Sequence, residues 1–104
     1  MVTYDIQITK PAEDDLYEIG RYISKELLEP ETARKVIARI ADTISTLENM
    51  PLRNVLVDDE RLAKIGIRKI LVDNYIVFYI VVEENKTVTI IRVLYSRRNW
   101  QYLL

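Results

Sequence analysis

The run Tyr75 to Val82, YIVFYIVV, carries no charged residue, and it limits the fold more than any other stretch of the chain. Side chains of a strand alternate between two faces, so a strand apolar on both must be covered on both and belongs in the middle of a sheet. Asp73-Asn74 before it and Glu83 to Lys86 after it are turn sequences. The flanking runs, Ile67 to Val72 and Val88 to Tyr95, then read as neighbouring strands of an antiparallel meander that Gly66 opens.

The upstream half supplies the cover. Thr3 to Thr9 alternates, with Tyr4, Ile6 and Ile8 on one face, and predicts a half-buried strand. Thr9, Lys10 and Pro11 start a helix whose first turn is acidic, and Leu16, Ile19, Ile23 and Leu27 form its apolar stripe over about four turns. Asp14, Asp15 and Glu18 are expected to complement the dipole and face water. Glu29-Pro30 breaks this helix and begins a second, striped by Ala33, Val36, Ile37, Ile40, Ala41, Ile44 and Leu47. Arg34, Lys35 and Arg39 lie off that stripe. The short break predicts a helical hairpin laid on one face of the sheet. Asn49, Met50 and Pro51 stop the second helix, and Leu52 to Lys64 lacks a period and is expected to be a surface loop. The fold class is α+β in the order β-α-α-β-β-β, a single domain over residues 1–104 with an antiparallel sheet.

Composition removes several chemistries. The chain has 104 residues, enough to bury roughly 65% of its unfolded surface. It has neither cysteine nor histidine, so thiolate metal sites, disulfides, cysteine nucleophiles and the usual neutral-pH general base are excluded. No metal or cofactor is expected. MVTYDIQITK has no apolar run long enough for a signal peptide and no later segment is a membrane span, so a cytoplasmic location is expected. Residues 1–60 hold seven basic and thirteen acidic side chains, and residues 61–104 hold eight basic and three acidic. Positive potential therefore gathers on the sheet-and-tail half, where a phosphate backbone or an acidic partner would dock.

The residues suited to that role are Arg68 and Lys69 on the first strand of the meander, Arg92 on the last, and the tail residues Tyr95, Arg97, Arg98, Trp100 and Tyr102. Arg61 and Lys64 join them from the expected loop. Arg92 interrupts an apolar row formed with Val88, Ile90 and Leu94, and it needs a partner or the sheet rim because an unpaired buried guanidinium is too costly. Arginine forks bind phosphate and aromatic rings stack bases. The plainer alternative is that Trp100 and Tyr102 staple the C-terminus to the core while Arg97 and Arg98 pair with helix carboxylates.

The ordered set TKPAEDDLYEIGRYI, PETARKVIARIADTISTLENMP, GIRKILVDNYIVFYIV and IIRVLYSRRNW resembles the RelE/ParE superfamily of toxins from bacterial type II toxin–antitoxin modules, over essentially the whole chain. The resemblance implies a growth inhibitor neutralised by a cognate antitoxin, as a homodimer or a toxin–antitoxin hetero-oligomer. RelE-like members cut messenger RNA on the ribosome, and ParE-like members poison DNA gyrase. Carried over residue by residue, a nuclease reading assigns catalysis to Arg68, Arg97, Arg98 and Tyr102, with Lys64, Lys69, Arg92, Tyr95 and Trp100 as nucleic-acid or partner contacts. The ribonucleases usually place an arginine directly after the tyrosine that opens the central strand, and here Ile76 stands there. Many relatives also have a histidine where this chain has Tyr95. Together with the long helical hairpin, these departures lean the expectation towards a ParE-like inhibitor of gyrase or another protein. The alternatives are a ribosome-dependent messenger endoribonuclease and a non-toxic binding module on the same fold.

Overall fold

The computed structural model describes residues 2–104. Thr9 joins the first two elements. It ends β1 (Asp5–Ile8) and caps α1 (Lys10–Arg21), its Oγ1 accepting the Ala12 N–H at 3.3 Å and donating to the Ile90 carbonyl at 2.9 Å. One side chain thus fixes the angle between sheet and helix. The expected four-turn helix ends at Arg21 and continues as a π-helical turn over Tyr22–Glu26, in which the Leu27 N–H reaches back to the Tyr22 carbonyl at 3.1 Å. Leu28 then takes the left-handed backbone (φ 57) that usually falls to glycine. Leu27 is consequently half exposed instead of finishing the stripe.

The second helix, α2 (Pro30–Thr46), follows the expectation closely, burying Ala33, Val36, Ile40 and Ile44, with Leu47 buried just beyond. The expected loop is more structured than its sequence period suggests. Pro51–Arg53 forms a 3-10 turn, Val55 and Val57 bond to Lys69 and Ile67, and α3 covers Glu60–Ile65. Asp59 caps α3 by accepting the Leu62 N–H at 3.1 Å, and Gly66 closes it at φ 98, where a side chain would be strained.

The strands β2 (Arg68–Val72), β3 (Tyr75–Val82) and β4 (Thr87–Tyr95) form the expected meander. The sheet as a whole is mixed, in the order β1-β4-β3-β2, because β1 runs parallel to β4. The wholly antiparallel expectation is corrected here: alternation fixes which residues share a face and says nothing about strand direction. A bulge is a second correction. Phe78 faces Arg92 and Tyr79 faces Ile90, which leaves Ile91 without an opposite residue and reverses the alternation. Val88, Ile90 and Val93 therefore pack with the helices, while Ile91 and Leu94 pack on the other side.

Two cores result, one on each face of β3. Ala12, Ile23, Val36, Ile40, Ile44 and Leu47 cover Val77 and Tyr79. Val57 and Leu62, with the tail residues Trp100, Leu103 and Leu104, cover Ile76 and Phe78, and the Trp100 ring lies 4.9 Å from that of Phe78. No helix among the described residues is long and apolar enough to cross a membrane.

Candidate partner-binding groove

Where α1 gives way to its π turn, the helical hairpin stands away from the sheet and leaves an open groove of about 960 Å³. Its floor is apolar, built from Ile19, Ile23, Val36 and Val93. The rim is charged and aromatic. Tyr22 and Leu27 come from the hairpin tip, Asn74 and Tyr75 from the β2–β3 turn, and Tyr95 and Arg98 from the end of β4 and the tail. Tyr75 and Tyr95 meet edge-to-face at 5.9 Å, a stable aromatic geometry. Burial, reinforced by the neighbouring Tyr95, Tyr22 and Asp73, pushes the Tyr75 hydroxyl above the usual phenol range. It stays protonated and can donate.

Most rim charges are already matched. Arg39 Nε binds Asp73 Oδ2 at 2.7 Å across the gap between α2 and the sheet turn. Arg21 bonds Glu18 at 3.2 Å and lies 3.8 Å from Glu26. Arg98, among the described residues, has no carboxylate partner and is exposed at the rim.

Asp15 forms part of the wall and also has a structural task. β1 covers the edge of β4 only as far as Ile90, so the Val93 N–H beyond it would be left open. Asp15 Oδ2 accepts that N–H at 2.9 Å, and the same carboxylate takes Arg92 Nε at 2.7 Å and Nη2 at 2.8 Å. Arg92 also donates to the Leu103 carbonyl at 3.1 Å, tying the tail to α1 around the sheet edge. Its proton is held more tightly than usual, first through the hydrogen bonds to Asp15. The expectation that Asp15 simply faces water is corrected, and Arg92 is engaged within the fold.

The other candidates are dispersed. Arg68 sits opposite Tyr79, at the far end of β2 from Val72, Tyr75 and Tyr95. The separation is four residues, about 13 Å along the strand. Its Nη1 donates to the carbonyls of Asn54 at 2.6 Å and Leu52 at 3.4 Å. Lys69 sits opposite Phe78 and so leaves the other face of the sheet. Lys64 lies exposed on α3, and Arg61 nearby reaches the Gln101 carbonyl at 3.5 Å. Trp100 does staple the tail, but Tyr102 is 85% exposed and does not. Arg97 and Arg98 are both exposed, and neither pairs with a carboxylate among the described residues, against the plainer alternative.

Of the residues singled out from sequence, the groove collects Tyr95 and Arg98. Tyr22, Arg21, Arg39 and Asp15 were missed as rim residues. For Asp15 the signal existed, since Arg92 on an apolar strand demands an anion. No cluster of His, Cys, Asp or Glu among the described residues is arranged to hold a metal ion.

The architecture is thus a small mixed sheet with a helical hairpin on one face, a tail on the other and an open groove at one end. The chain belongs to the ParE toxin family of type II toxin–antitoxin systems, parDE, whose sequence model matches residues 6–100. No curated protein matches the sequence. Among solved structures, a chain of the chromosomal ParDE system from P. aeruginosa superposes with a TM-score of 0.76 at 19% identity, covering 93% of this chain and 100% of that one. A chain of the RelBE2 toxin–antitoxin complex from Mycobacterium tuberculosis gives 0.67 at 23% identity, with 90% and 99% covered. A mutant of E. coli toxin RelE in the free state gives 0.66 at 14%, with 97% and 92% covered. At these identities the structural matches speak for the fold.

Proposed function

We propose that this type II toxin inhibits growth by binding a protein target, DNA gyrase in the first instance, and that a cognate antitoxin neutralises it by filling the groove with an amphipathic helix. The observation that carries the first half is the dispersal of the nuclease candidates. Arg68 is turned to the Leu52 and Asn54 carbonyls at one end of β2, Arg97 and Arg98 lie beyond the opposite end of the sheet, and Arg92 is neutralised by Asp15. Ile76, in the position where the ribonucleases usually carry arginine, is buried against the tail core. Phosphoryl transfer at a 2′-hydroxyl needs a base, an acid and an anion clamp converging on one phosphate. For the antitoxin, the support is a groove with an apolar floor, a polar rim and a free arginine, which is the surface an amphipathic helix requires.

Induced expression of the chain alone is expected to arrest growth, and the purified protein is expected to inhibit supercoiling by purified gyrase. Full supercoiling at high toxin excess contradicts the gyrase target, and unimpaired growth contradicts the toxin reading as a whole. One feature favours a second reading, ribosome-dependent cleavage of message: Arg98 is unpaired beside Tyr95. Primer extension on translated message separates the two, since codon-phased cuts that vanish in Arg98→Ala belong only to the nuclease.

A further inference from the structure

The tip of the helical hairpin is an exposed apolar knob beside the groove. Tyr22 and Leu27 stand half exposed on the groove rim, and Leu28 next to them is 80% exposed and lines no part of the groove. Leu28 also belongs to neither core. Its backbone is anchored on both sides, because the Leu27 N–H returns to the Tyr22 carbonyl at 3.1 Å and the Glu29 N–H to the Ile23 carbonyl at 3.0 Å. Between these anchors Leu28 holds φ 57, a conformation that suits glycine and strains leucine. A hydrocarbon side chain at such a position contributes nothing to the isolated fold, and strain of this kind gathers at contact surfaces.

The groove beside the knob carries two unmatched charges of opposite sign. Glu29, on the hairpin wall, accepts the Thr32 hydroxyl at 3.1 Å but pairs with no cation among the described residues. Arg98, on the sheet wall, pairs with no carboxylate among them. An acidic partner satisfies Arg98 and repels Glu29, and a basic partner does the reverse. A second copy of this chain satisfies both, since a two-fold axis can set Glu29 of each copy against Arg98 of the other. The same axis carries the tip of each copy towards the apolar floor of its neighbour.

We infer that the free protein forms an isologous dimer in which Leu28 of each copy enters the groove of the other, with Glu29 and Arg98 paired twice across the interface. The anchored backbone presents the knob already in its docking conformation, so little ordering cost falls on association. With the floor filled by a second copy, the groove is closed to other occupants, and dimerisation competes with whatever else binds there. The dimer rests on the tip and the groove alone and does not depend on which target the toxin inhibits.

Sedimentation velocity on the full-length protein across a concentration series is expected to show a reversible monomer–dimer equilibrium. Leu28→Gly deletes the knob and relaxes the backbone, so the monomer should be at least as heat-stable while the dimer weakens about tenfold or more. E29R alone and R98E alone each bring like charges together twice, and each should weaken the dimer about tenfold. An equimolar mixture of those two single variants should dimerise about as tightly as the wild type, because every Glu–Arg contact is restored with its direction reversed. No effect within one chain reproduces that rescue. Should either charge variant lose its fold by circular dichroism, Leu28→Gly decides the matter alone. The inference is overturned if the wild type stays monomeric to about 1 mM, in which case the knob serves a different protein. It is equally overturned by assemblies that keep growing past the dimer, by a dimer that Leu28→Gly leaves unchanged, or by a mixture of folded E29R and R98E that fails to associate.

Discussion

On one face of β3, Val77 and Tyr79 lie under α1 and α2, helices of 12 and 17 residues. On the other, Ile76 and Phe78 lie under a six-residue helix and a three-residue turn of the tail. Both faces are dry, yet they are built from different materials. The helix face is closed by residues whose spacing alone dictates a stripe, so every turn contributes. The tail face is closed by a few large side chains, chiefly Phe78, Leu62 and Trp100, arranged by capping residues and by one arginine. Stability should therefore be concentrated under the hairpin and graded off towards the tail.

The largest effect should come from the hairpin core. Ile40 is fully buried, and Ile40→Ala leaves a cavity that the two helices and the sheet cannot all collapse to fill. A loss of about 3 kcal/mol is expected in denaturant unfolding. A loss under about 1 kcal/mol would mean that the helix face is as adaptable as the tail face, and the contrast would fail.

Next comes the ion pair that joins the two faces. Asp15→Asn keeps the shape of the side chain but leaves the part-buried Arg92 guanidinium without its anion. A loss of about 2 kcal/mol is expected, below the full cost of breaking a deeply buried pair because water still reaches both groups. Since Arg92 also holds the Leu103 carbonyl, Trp100 fluorescence should shift towards its solvent-exposed value. An unchanged emission spectrum would show that the tail holds itself without Arg92.

How far the sequence foretold these two faces follows from the same physics. Tyr75 to Val82 required cover on both sides, and the α2 stripe from Ala33 to Leu47 named half of that cover, because 3.6-residue periodicity survives any tertiary context. The other half carried no period. Asp59 and Gly66 cap a six-residue helix too short to display one, and Trp100, Leu103 and Leu104 span barely a turn. Directionality was hidden as well, because β1 would alternate identically whether parallel or antiparallel to β4. The bulge at Ile91 was invisible too, since one extra residue changes no composition, yet it moved Val93 onto the helix face. As for the groove, Tyr95 and Arg98 were legible as a pair of residue types. The rest of its rim depends on the π turn at Tyr22–Glu26 and on Leu28 standing where glycine is customary, and no sequence rule points to either.

Trp100→Ala tests the tail face directly and should cost about 1.5 kcal/mol, less than a fully buried tryptophan because this ring is only partly covered. Its secondary-structure spectrum should stay intact, since no strand or long helix depends on the ring. Loss of the folded state altogether would place the tail on a par with the hairpin.

The smallest effect lies at Tyr79, whose buried hydroxyl donates to the Pro51 carbonyl at 2.6 Å and accepts from Asn54 Nδ2 at 3.0 Å. Tyr79→Phe should cost about 1 kcal/mol at neutral pH. Burial raises the phenol above its ordinary value near 10, with Asn54, Arg68 and Arg53 pulling partly the other way. A group whose folded-state value is raised contributes fully below its unfolded value, and the contribution drains away as pH climbs through the folded one. The advantage of the wild-type chain over Tyr79→Phe should therefore be constant up to about pH 9 and shrink above pH 10. Tyr75, raised as well, is common to both proteins and cancels in the difference. A difference that grew with alkalinity would mean that the hydroxyl ionises more easily in the fold than in the open chain, with Arg68 and Arg53 outweighing burial at this strand.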